Sequence, residues 1–145
     1  SGLEFRRVLF RSSLRAALTS SDIFIVPFQP KSFDIWTATK VSDLVEEAKI
    51  INEKLICRAF INCASSRGID NDDAKSIISK SKNLSLLPAT VGLRKAFSNA
   101  TSEGLGVIEM KSDAKAKSEI HMLHDMIFDT NMMSQKSHNS AKVTL

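Results

Sequence analysis

The chain has 145 residues, 43% of them hydrophobic and 25% charged, with a formal net charge of +4, a balance that suits one globular domain with its own core. No apolar run approaches the roughly 20 residues that span a bilayer, and the N-terminus lacks the apolar stretch and small-residue cleavage site of a secretory signal. Cys57 and Cys63 lie on one strand-like segment, about 20 Å apart at roughly 3.3 Å per residue, too far to pair, so reduced cytosolic thiols are the simplest reading.

Residues 3–12, LEFRRVLFRS, do not pattern like the rest and resemble the in-frame translation of a common sequencing-adapter oligonucleotide. Residues 1–12 are accordingly expected to be a non-native leader. They hold Arg6, Arg7 and Arg11 against Glu4, a net of +2, which leaves 4 − 2 = +2 for the remainder. That is too small to argue for nucleic acid from bulk charge alone.

From Ser13, SLRAALTS reads as the end of a helix, with Leu14, Ala17 and Leu18 on one face. Ile23–Phe28, IFIVPF, is apolar on both faces and predicts a central strand of a parallel sheet. Pro27 and Pro30 bracket its exit. Ser32 or Asp34 can cap the next helix, whose apolar stripe is Ile35, Ala38, Val41, Leu44, Val45, Ala48 and Ile51. Leu55–Cys63 predicts a second strand, leading through Asn62 into the turn-rich ASSRGIDN. Asp70 or Asn71 can cap a short helix from Asp72 to Lys80. Leu84–Leu87, closed by Pro88, predicts a third strand with ATVG as a turn. A helix follows through Leu93, Ala96, Phe97 and Ala100 and ends at Gly104. Val107–Met110 reads as a brief extended piece. Ser112 or Asp113 caps a last helix with Ala116, Ile120, Leu123 and Ile127 inward. Residues 130–145 are polar and read as a frayed tail.

Strands alternating with helices predict an α/β fold: a mostly parallel sheet with helices on both faces. Three strands are few, so residues 13–129 read as the C-terminal half of a doubly wound domain. In such sheets the loops after the strands hold the chemistry.

The phosphate-binding part of that chemistry is missing from the sequence. None of the five glycines forms GxxxxGK[ST] or GxGxxG, the patterns whose backbone N–H groups close on phosphates. No acidic residue ends an apolar strand in the manner of a magnesium-holding carboxylate. His121 and His124, with Asp125 near them, have helical spacing, but surface histidines are the commoner case. No catalytic residue and no metal site are assigned to this chain.

The stretch LRAALTSSDIFIVPFQPKSFDIWTATKVSDLV, then FINCAS, then LLPATVGLRKAFSNATSEGLGVIEM with KAKSEI, resembles the C-terminal portion of the ParA family. These are deviant Walker-A P-loop ATPases of DNA partition, related to MinD. The likeness runs from about Leu14 to Phe128, and the family's lysine-bearing phosphate loop has no counterpart here. It implies that Asn62 hydrogen-bonds the adenine base, an amide offering both donor and acceptor, and that Pro88 packs beside the same base. Read without the family, Asn62 is equally a turn residue satisfying its own backbone. Gln29, Pro30 and Asp34 match a loop near the dimer interface; for Asp34, helix capping is the alternative. The family binds DNA through basic residues near its C-terminal half: Arg94 and Lys95 match the family's arginine motif, and Lys111, Lys115 and Lys117 cluster at the start of the last helix, the alternative being a solvated helix face.

The resemblance further implies ATP and Mg2+ as cofactors of a full-length parent ATPase, with none held by this chain alone. It implies an ATP-dependent homodimer, sequence-independent DNA binding, a centromere-binding ParB-like partner, and a cytoplasmic, nucleoid-associated location without membrane contact. The competing expectations are a MinD-like positioning ATPase on a membrane and a non-catalytic α/β interaction module.

Overall fold

The computed structural model describes residues 12–32, 35–65, 70–111 and 113–128. The elements run α1 (residues 12–20), β1 (Ile23–Phe28), a 3-10 turn (Pro30–Ser32), α2 (Ile35–Ile51), β2 (Ile56–Ala64), α3 (Asp70–Ser79), β3 (Ser85–Gly92), α4 (Lys95–Ser102) and α5 (Ala114–Phe128). They form two compact units, one through Leu93 and one from Arg94. Most of the expected leader, the expected tail and Asp34 lie outside the described residues.

The first unit is an α/β layer built on a three-stranded sheet in the order β1-β2-β3, parallel throughout. One face is set by register. Phe24 pairs with Cys57, Val26 with Ala59 and Phe28 with Ile61, and Ala59 pairs with Leu86. These residues share a core cluster with Leu14 and Leu18 of α1, Val41, Leu44, Val45 and Ala48 of α2, and Ala74 and Ile78 of α3. Leu55, Ile61, Ile78 and Val45 are fully buried there, and each such side chain stabilises the fold by roughly 1.5–3 kcal/mol.

Within this unit α1, α2 and α3 all pack on one face. For α2 and α3 the reason is handedness. Two successive right-handed crossovers that advance the sheet in one direction put both connecting helices on the same side. Phe60, Leu87, Ala89 and Val91 are buried outside that cluster and alternate to the other face.

Several expectations are corrected. Among the described residues β1 is an edge strand, not a central one. Its apolar run reports burial rather than the number of strand neighbours, and an edge position also accommodates Pro27. β3 does not stop at Pro88 but continues to Gly92. Its register against β2 shifts between Leu86 and Thr90, so the residue without an N–H falls in the irregular stretch where no ladder bond is required. The intended turn ATVG is therefore strand. Helix α3 begins at Asp70, earlier than expected. Ala17 and Ile51, counted in apolar stripes, are exposed, Ile51 at 75%. Leu93 precedes α4 and is exposed too.

The second unit has a small core of Ala96, Ala100, Val107 and Ala116, with Phe97, Met110 and Ile120 against it. Gly104 has φ +69, the left-handed cap expected after α4. The Gly104 amide donates to the Thr101 carbonyl and the Leu105 amide to that of Ala100. Residues 107–110 form turns rather than an extended piece. The Gly106 amide donates to Glu109 Oε2 at 2.6 Å, and the Glu109 amide returns to the Gly106 carbonyl. Asp113 caps α5, accepting the Ala116 amide on Oδ1 at 2.9 Å.

Candidate functional site: the C-terminal edge of the sheet

Parallel strands bring their C-terminal ends to one edge, and Gln29, Pro30 and Asn62, three of the residues singled out from the sequence, lie there. Gln29 is exposed directly after β1, and Pro30 is buried at the start of the 3-10 turn, which packs against β2 and α3. Asn62 lies three positions after Ala59 and two before the end of β2, half-buried. It is a strand residue, not a turn residue, and its side chain makes no hydrogen bond to another described residue. The reading of Asn62 as a turn side chain closing on its own backbone therefore does not apply.

Cys63 beside it has φ 53, a left-handed conformation that a side chain rarely adopts. The register between β2 and β3 breaks over the same step, from Ile61–Thr90 to Ala64–Gly92. Strand β2 thus kinks between the residue proposed for recognition and its last pair. The Leu93 amide closes the edge by donating to the Ala64 carbonyl at 3.0 Å. Asn71, in the first turn of α3, donates Nδ2 to the Ser65 carbonyl at 2.8 Å, while its buried Oδ1 has no partner among the described residues. Pro88 is exposed on β3, two residues before the Thr90–Ile61 pair. Sequence reasoning missed the kink at Cys63, because a left-handed Cys has no compositional signal.

The basic residues lie in the second unit. Lys95 is exposed at the first position of α4. Lys111 and Lys115 are exposed before and within the first turn of α5, and Lys117 is half-buried. Arg94 is placed differently. Its Nη2 donates to Glu119 Oε1 at 2.7 Å and its Nε to Glu119 Oε2 at 3.0 Å, a two-point ion pair in which the side chains are 23% and 17% exposed. Glu119 was not anticipated, since only the folded chain brings it to a residue 25 positions away.

The remaining candidates do not converge. His121 and His124 are both exposed, and no group of three metal-ligating side chains gathers among the described residues. Neither cysteine is in a disulfide among the described residues, and Cys57 is buried. At the other end of the sheet a cleft of about 360 Å³ runs between α2 and the α3–β3 turn. Ser42 accepts Asn83 Nδ2 there at 3.2 Å, between Asp43 and Glu46 on one wall and Lys80 and Lys82 on the other. No described helix is long and apolar enough to cross a membrane.

No protein-family model matches the chain. It is similar to the Maintenance of carboxysome distribution protein A of Halothiobacillus neapolitanus, with 22% identity over 98 residues, 68% of this chain and 45% of that protein. It is also similar to Protein IncC of Escherichia coli, with 27% identity over 129 residues, 84% of this chain and 34% of that protein. The chain therefore matches less than half the length of either curated relative.

Proposed function

We propose that this chain is the C-terminal portion of a ParA-type ATPase that distributes a large intracellular cargo. The observation that carries the reading is the parallel β1-β2-β3 edge, where Gln29, Asn62 and the β3 terminus meet at the strand ends that bind ligands in this architecture. Two relatives support it, one of them named for the distribution of a cellular body.

In this reading the half-buried Asn62 amide, uncommitted to any described residue, reads the edge of an adenine base, and Pro88 with its neighbours packs beside it. The residues present fit the base side of a nucleotide and supply no cradle for its phosphates. ATP and Mg2+ belong to the whole protein, where they supply the energy of a dimerisation switch. Gln29, Pro30 and Asp34 flank the homodimer interface. The exposed Lys95, Lys111 and Lys115, with Lys117, form the sequence-independent DNA contact beside Arg94, which puts the protein on the nucleoid in the cytoplasm. A centromere-binding ParB-like protein is the partner that stimulates hydrolysis.

The test is to recover the native reading frame upstream of Ser13. A deviant KGGxxK[ST] loop followed by an acid-terminated strand supports the reading, and its product should hydrolyse ATP while the 145-residue chain alone should not. An upstream frame without a phosphate loop, or turnover by the chain alone, overturns it.

A further inference from the structure

Arg94 and Glu119 meet in fork-to-fork geometry, and both are largely withdrawn from solvent. Such a pair is geometrically specific as well as strong. A guanidinium already occupied at two nitrogens, and shielded, is poorly placed to meet a phosphate. The neighbours on either side are the opposite case. Lys95 directly follows Arg94 and is exposed. Lys115 is exposed one helical turn before Glu119, on the same face by its i, i+4 spacing.

Helix α4 has no acidic residue in its first turn, and its N-cap Arg94 makes no side-chain cap bond. Glu119, from α5, is the carboxylate partner of that N-cap side chain. The guanidinium is held above its usual pKa, first by the hydrogen bond to Glu119, with burial opposing and the charges of Glu119 and Asp113 assisting.

Resting on the DNA-binding reading above, we propose that the Arg94–Glu119 pair is a clamp that holds Lys95 and Lys115 on one cationic face and is not itself a phosphate contact. Arg94 is a positioning residue for the DNA interface, and Glu119, an acidic residue inside a basic region, is required for DNA binding rather than opposed to it.

The two roles separate in a salt titration. The complete protein, with ATP and Mg2+, is titrated with a random-sequence DNA duplex by fluorescence anisotropy over a range of salt. Each lost phosphate contact lowers the slope of log K against log salt by about 0.9. Lys95→Gln and Lys115→Gln should show that fall. Arg94→Gln and Glu119→Gln should each weaken binding severalfold at unchanged slope, and the double variant should be no worse than either. Arg94→Lys, which keeps the charge but loses the fork, should behave like Arg94→Gln. Circular dichroism confirms that each variant is folded.

Tighter binding by Glu119→Gln, near-normal binding by Arg94→Lys, or a slope loss with Arg94→Gln overturns the clamp while leaving the DNA reading intact. Absence of salt-dependent binding by the unaltered protein overturns both.

Discussion

Asn52 donates Nδ2 to the Ser21 carbonyl at 2.8 Å, across 31 positions of sequence, and reaches the Leu18 carbonyl at 3.4 Å. One side chain thus joins the end of α2 to the α1–β1 turn. The backbone completes the junction: the Asn52 amide closes α2 on Ala48, and the Ile56 amide donates to the Asp22 carbonyl at 3.0 Å. Register at the start of the β1–β2 ladder is set here. Asn52→Ala should therefore cost about 1 kcal/mol, the net value of a part-buried hydrogen bond. Asn52→Asp should cost more, because a carboxylate cannot donate to those carbonyls. Urea unfolding of the three proteins measures both, and equal midpoints would refute the role.

Ile61 and Ile51 are the same residue type in opposite surroundings, 0% and 75% exposed. Ile61→Ala should destabilise by roughly 2–5 kcal/mol, through lost transfer energy and the cavity left at the centre of the sheet. Ile51→Ser should stay within about 0.5 kcal/mol of the parent. A large effect at Ile51 in thermal unfolding would show that its face is covered in solution.

Asp113 does two things at once: it caps α5 and holds φ 62. Asp and Asn tolerate that conformation better than other side chains, and both are strong caps. Asp113→Asn should be close to neutral, whereas Asp113→Ala should cost about 1–2 kcal/mol. Equal stability of the two variants in denaturant would remove the capping role.

Cys63 offers the complementary test at the candidate nucleotide edge. Its left-handed backbone is costly for any side chain and most for a β-branched one. Cys63→Val should be about 1–2 kcal/mol less stable than Cys63→Gly, the usual left-handed penalty. If Val is tolerated as well as Gly, the kink does not persist in solution.

Much of this architecture was legible in the chain. The apolar run IFIVPF, the helical stripe through Val45 and Ala48, Gly104 as a helix stop and Asp113 as a cap are local patterns. Each reports how neighbouring residues share one backbone conformation or one buried face, so composition and spacing suffice to read them. The α/β class and the parallel sheet follow from their order.

What tertiary structure alone decided is which elements meet. β1 reads as central by hydrophobicity yet lies at the edge of the described sheet, because a run of apolar residues reports burial of faces and says nothing of lateral hydrogen-bond partners. β3 passes through Pro88 because a register shift against β2 removes the need for its missing donor. The two connecting helices, α2 and α3, share one side because two crossovers advance in the same direction. Arg94 reads as one more cation until folding brings Glu119 to it. Pairing, register and charge neighbourhood are set by contacts between residues far apart in sequence, and no local period encodes them.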